Sequence, residues 1–168
     1  MAQTSYSNTR TIGFAGMLDG EYRSEVMTMR NDEASASIGF GLAVKRASTT
    51  DPTSAKLLTA ITGEKVPGIV VHSHAYDSEQ LDDDGVLSGE RLNVAVSGRM
   101  LVACEDGCNV GDPLHVRAVA AGAEDAGALL AAADGTDTID MTGRGVWETS
   151  ASAGGLAWLR FDFLNPLT

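Results

Sequence analysis

The stretch that most constrains this chain is Leu92 to Cys104, LNVAVSGRMLVAC, where two rows of side chains alternate without a break. Leu92, Val94, Val96, Gly98, Met100, Val102 and Cys104 share one parity, and Asn93, Ala95, Ser97, Arg99, Leu101 and Ala103 share the other. A strand turns successive side chains to opposite faces. The pattern therefore predicts a long strand with one apolar row buried and a smaller, more polar row outside, Leu101 being the exception. The following EDGCNVGD (Glu105 to Asp112) gathers Asp, Asn and Gly, residues that tolerate the backbone angles of tight turns. Pro113 then opens a second strand, LHVRAV, a position where no ladder hydrogen bond need be donated. Together these segments predict a two-strand unit with an acidic turn, the central hairpin of the fold.

The remainder reads as short elements around that unit. Val26, Thr28 and Arg30 alternate with Met27 and Met29 after a loop punctuated by Gly13, Gly16 and Gly20, which predicts a strand. Ser37 to Val44, SIGFGLAV, is a further strand candidate, and glycines at 39 and 41 suit it only if another backbone or a barrel wall packs closely there. Pro67-Gly68 signals a turn before the β-branched run Ile69-Val70-Val71, suited to a buried strand. Asp125 to Ala133 could form a short helix, weakened by Gly127. Thr138 to Trp147 and Leu156 to Phe163 read as closing strands. With 43% hydrophobic residues, 168 residues can close a core, and 19 glycines against 5% aromatics favour many short elements. The expectation is a mainly β protein: one β-barrel-like domain over residues 13–168 with little helix, and an extended N-terminal arm over residues 1–12. In that arm Tyr6 and Arg10 are the candidate anchors for a segment that orders on a partner.

A formal charge of −11 with no lysine or arginine cluster argues against direct binding of nucleic acid or an anionic membrane, and leaves a basic protein partner open. There is no 18-residue apolar run, and MAQTSYSNTR lacks an apolar signal core, so synthesis in the cytoplasm without export is expected. In that reducing compartment Cys104 and Cys108, which flank one turn, are expected as free thiols.

Signals for chemistry are sparse. His72 and His74 form an HxH that would share one face of a strand, and four residues separate His74 from Glu79, as in the first cupin motif. The flanking glycines do not fit: three residues precede His72 after Gly68 where the motif has five, and five separate Glu79 from Gly85 where it has six. The second cupin motif is missing. His72, His74 and Glu79 thus stand as metal candidates against the plainer reading of strand-packing histidines, and no metal or cofactor is expected. Asp82-Asp83-Asp84-Gly85 offers clustered carboxylates for a hard cation but lacks DxDxDG spacing. GxSxG, GxGxxG and GxxxxGK[ST] are absent, and His115 has no recognisable nucleophile partner. Trp147 and Trp158 admit a carbohydrate-binding β module, against the plainer reading as core or interface residues.

The order of segments carries a resemblance that no single motif does. FAGMLDGEYRSEV, IGFGLAV, VPGIVVHSHAYD, LSGERLNVAVSGRMLVACEDGCNVGDPLHV and GVWETSASAGGLAWLRFDF follow one another in a way that resembles the phage capsid cement proteins, which decorate tailed-phage heads. Ala15-Gly16-Met17, Gly41-Leu42-Ala43-Val44, Gly68-Ile69-Val70 with Ser73-His74, and Leu92 to Val116 stand at the positions of that family's segments. The resemblance spans Phe14 to Phe163. The acidic loop at Asp82 to Gly85 and the alanine-rich segment Gly122 to Ala133 depart from it. It implies a homotrimer on the outer face of the head, around three-fold axes, bracing the major capsid protein without catalysis or cofactor. It also implies a virion protein made in the cytoplasm of a bacterial host, with Tyr6, Arg10 and Phe14 as candidate capsid contacts.

Overall fold

The computed structural model describes residues 13–62, 64–73, 80–82, 85–122, 125–165 and 167. In chain order the first strands are β1 (Met17–Leu18), β2 (Glu25–Asn31), β3 (Ala43–Arg46), β4 (Ser54–Lys56), β5 (Gly68–Val70), β6 (Leu81–Asp82) and β7 (Gly85–Val86). They are followed by β8 (Arg91–Cys104), β9 (His115–Arg117), β10 (Leu129–Leu130), β11 (Thr138–Asp140), β12 (Gly145–Trp147) and β13 (Gly155–Asp162). No α-helix occurs among the described residues.

The alternating stretch is β8, and its length lets it serve every other part of the sheet. β2 pairs antiparallel with its first half and β1 with Met100 and Leu101. β5 meets Val94 and Ala95, and β13 runs antiparallel to Ser97 through Cys104. Val94 and Ala95 pair with both β2 and β5, and Ser97 pairs with both β2 and β13, so β2 and β1 occupy one edge of β8 while β5 and β13 occupy the other. From β8 the sheet passes through β2, β4, β3 and β5 and returns to β8, closing a barrel. Met29, Ile38, Val44, Ala55, Val70, Val86, Leu92 and Val94 fill it. Beyond it β13 carries β12, and β10 lies parallel to the end of β8 and carries β9 and β11. These strands enclose a second core with Met100, Val102, Leu114, Val116, Leu129, Trp147, Leu159 and Phe161.

The apolar row of β8 is buried along its whole length, but it changes core on the way. Leu92 and Val94 face the first core, Met100, Val102 and Cys104 the second. The change coincides with a register shift between Glu25 and Val26 opposite Ser97, followed by Gly98 at φ 146°. A side chain at Gly98 would lie 2.9 Å from Ser24 Cβ, so the turn of the strand needs glycine twice over. Ala95, on the row expected outside, is fully buried because its face of β8 packs with Ile69 against the second core. Leu101 is buried as well, at 1% exposure, under the chain entering at Gly13.

Three expectations need correction. β8 and β9 do not form a hairpin, because β10 lies between them, pairing Leu129 with Cys104 on one side and with Val116 on the other. Asp125 to Ala133 is not helical. Gly127 takes φ 91°, and the buried Leu129 and Leu130 enter the sheet. In the stretch from Ser37 to Val44 only Ala43 and Val44 enter a strand, while Ile38 makes an isolated bridge to Val86. The close packing foreseen there does occur: a side chain at Gly41 (φ 81°) would meet Ala15 Cβ and the Gly16 nitrogen at 3.2 Å.

Candidate interaction surface

The outer row of the second half of β8, at Ser97, Arg99 and Leu101, lies beside polar and aromatic side chains brought in by neighbouring segments. Gly13 passes directly over that face. A side chain there would lie 2.6 Å from Met17 Cε and 2.8 Å from Leu101 Cδ2. The Gly16 N–H donates to the Leu101 carbonyl at 2.8 Å and its own carbonyl accepts from the His72 N–H at 2.9 Å, so the N-terminal segment is stitched across β8. Phe14 is 37% exposed, and its ring lies 4.2 Å from the His72 imidazole, which lies 4.5 Å from Phe40. Phe14 is thus brought to the surface beside His72, in tilted ring contact. Tyr6, Arg10, His74 and Glu79 lie outside the described residues, as do Asp83 and Asp84. Among the described residues no three His, Cys, Asp or Glu side chains converge as a metal site would require.

Next to the Gly13 crossing lies a charged and aromatic network that sequence reasoning missed. Register places Trp158 opposite Leu101 and Arg160 opposite Arg99, all on the outer face. Arg99 donates from Nη1 to Asp19 Oδ2 at 2.5 Å and from Nε to Glu148 Oε2 at 2.7 Å, and Arg160 Nε donates to Glu148 Oε1 at 2.9 Å. The Arg99 guanidinium stands 4.5 Å from the Trp158 ring centre and 5.7 Å from that of Tyr22, within cation–π range. Burial works against the charge on Arg99, but the bonds from Asp19 and Glu148 outweigh it and hold the guanidinium more firmly protonated than usual. Asp19 is held below the ordinary carboxylate range by the backbone N–H of Glu21 first and by Arg99 second. Beside the network, where β8 bends, a groove of 420 Å³ opens between Tyr22, Arg23, Ser97, Arg160, Asp162 and Asn165.

A signal for this face existed in the sequence. In LAWLRFDF the row holding Arg160 and Asp162 has to face solvent, and that row also holds Trp158. The other tryptophan is different: Trp147 is fully buried with its indole N–H aimed at the Leu130 carbonyl at 3.4 Å, which removes it from any carbohydrate-binding reading.

The remaining reactive groups are tied into the framework. Arg117 is 1% exposed and bonded to Glu105 and, at 2.8 Å, to Asp134 Oδ2. Cys104 and Cys108 are free thiols, both buried. The Cys104 Sγ lies 3.4 Å from Asp106 Oδ1 and that of Cys108 lies 3.4 Å from the Thr149 carbonyl oxygen. Burial, together with the neighbouring thiol and Asp106, pushes the Cys104 thiol well above its usual range, which disfavours the thiolate a nucleophile needs. His115 Nε2 stands 3.9 Å from Asp140 Oδ1. Among the described residues, β8 and β13 hold aromatic faces and guanidinium donors in register on the outer side.

Comparison with known proteins bears on what that surface meets. The family model described as structural cement protein (E217 gp24/Pam3 gp6) matches residues 2–162. No curated protein sequence matches the chain. Among solved structures, a chain from the capsid of Myoviridae Phage XM1 has a TM-score of 0.72, with 96% of this chain and 97% of that one covered at 16% identity. At that identity the likeness speaks for the fold.

Proposed function

This chain belongs to the structural cement proteins of phage, a capsid-associated structural family, and from that premise we propose that it binds the outer surface of an assembled tailed-phage head as a trimer near three-fold axes. There it braces the major capsid protein lattice, and catalysis plays no part. The match across residues 2–162 is the observation that carries the reading. The formal charge of −11 supports a protein partner over an anionic nucleic acid or membrane.

The physical mechanism is linkage. A protein that binds the closed lattice and not its dissociated subunits stabilises the lattice by mass action, and three joined copies make three modest contacts act as one. In this reading residues 1–12 form an arm, and Tyr6 and Arg10, with Phe14 at its root, reach a neighbouring subunit after the body has docked. Ordering the arm costs entropy, which lowers affinity per unit area and is recovered by the added contacts. The test is titration of purified protein onto heads assembled without it, with molar mass measured in parallel. Saturable binding in multiples of three by a trimer supports the proposal. A monomer in solution that ignores the heads would overturn it.

A further inference from the structure

We propose that the outer-face network of Tyr22, Arg23, Arg99, Trp158 and Arg160 is the patch through which the body of the protein docks on the major capsid protein. This rests on the head-binding reading and names the contacting surface within it. The first argument is the distribution of charge. Residues 77–90 and 105–140 hold fourteen of the 23 acidic residues and one of the twelve basic ones, so the remaining chain has nine acids, eleven basic residues and a surplus of two positive charges. Along the chain, the first acidic stretch precedes β8 and the second follows it, so the β8 residues of the network lie in sequence between two acidic runs.

The second argument is how the charges on the face are used. Asp19 and Glu148 are taken up by Arg99 and Arg160, and Asp162 accepts the backbone N–H groups of Leu164 and Asn165 at 2.9 and 2.8 Å, while Glu21 and Glu25 remain as exposed carboxylates flanking Tyr22 and Arg23. Among the described residues, Arg23 is exposed without an ion pair and Arg160 is bound through Nε alone, its side chain 39% exposed, which leaves its terminal nitrogens for a partner. Tyr22 is 46% exposed beside them. Tyr, Trp and Arg are the residues that dominate interface hot spots, the aromatics because they bury large area with few rotatable bonds and Arg because it offers several directional donors. The chemistry fits a capsid surface that sets an apolar side chain against Tyr22 and Trp158 and a carboxylate against Arg23 and Arg160. Gly13 crosses Leu101, the cross-strand neighbour of Trp158.

The experiment measures affinity for heads assembled without this protein, using Tyr22→Ala, Arg23→Glu, Trp158→Ala and, as a control in the acidic turn, Val110→Ser, whose side chain is also exposed. The first two alter exposed side chains and leave both cores intact, so they report on binding even if Trp158→Ala fails to fold. Each is expected to weaken head binding about tenfold or more, the loss typical of a hot-spot side chain, with Val110→Ser and the molar mass unchanged. Wild-type affinity in both Tyr22→Ala and Arg23→Glu overturns the proposal while the head-binding reading stands. Loss of self-association in place of head affinity also overturns it, since the patch would then lie between copies. Heads that bind no wild-type protein overturn the reading itself, and this patch with it.

Discussion

Arg117 carries a full charge at 1% exposure, so its place depends on Glu105 and Asp134. Replacing it with alanine strands Glu105 at the edge of the second core. Since Asp134 is 57% exposed and can return to water, the expected loss is about 2–3 kcal/mol, below the full cost of breaking a buried pair. Chemical denaturation measures it, and a loss under about 0.5 kcal/mol, the scale of an ordinary surface change, would show that the ion group contributes nothing. In LHVRAV the alternation suggests an outward Arg117, and it was not legible as buried because Asp134 reaches it from a different segment. Trp158 was legible in principle from its parity with Arg160. Asp51 gives a prediction in pH. The hydroxyls of Ser54 and Thr53 and the Thr53 N–H hold its carboxyl at about 2 against an ordinary 3.8. A carboxyl lowered in the folded state stabilises above its unfolded pKa and loses that contribution as pH falls through the folded value. Asp51→Asn should therefore flatten the fall in stability between about pH 4 and pH 2, the window those two values bound. An acid limb identical to wild type would contradict the assignment.

At the scale of elements, β8 is a wall shared by two cores. Leu92→Ala empties space in the first and Leu159→Ala in the second, and each should cost about 2–4 kcal/mol. Because one strand belongs to both, each variant should still unfold in a single transition by heat or denaturant. Two separated transitions would mean that the halves are independent. β8 was legible because thirteen residues of period two, Leu92 to Cys104, leave little alternative; β2 followed from a shorter alternation and β5 from a β-branched run after a Pro-Gly turn. β10 was not legible. It holds only Leu129 and Leu130 in an alanine-rich run, and it enters the sheet through partners far away in sequence. The closing of the barrel from β5 back to β8 was likewise invisible, since periodicity reports which face is buried and not which strand lies alongside.

At the scale of the whole molecule, fourteen of the 23 acids fall in the stretches 77–90 and 105–140, before and after β8 in the chain, and the order of motifs along the chain is what made the family legible. The outer-face network was not legible, because it forms only when Tyr22, Arg99, Glu148 and Trp158 are brought together from four segments. Removing Met1 to Arg10 should leave a folded trimer with weaker affinity for heads, and unchanged affinity would exclude the arm from binding. The measurement that bears most directly on the cementing role is the temperature at which empty expanded heads break open, recorded with and without saturating protein. The account predicts a rise that grows with occupancy and levels off at saturation; heads that bind the protein fully yet open at the same temperature would contradict it.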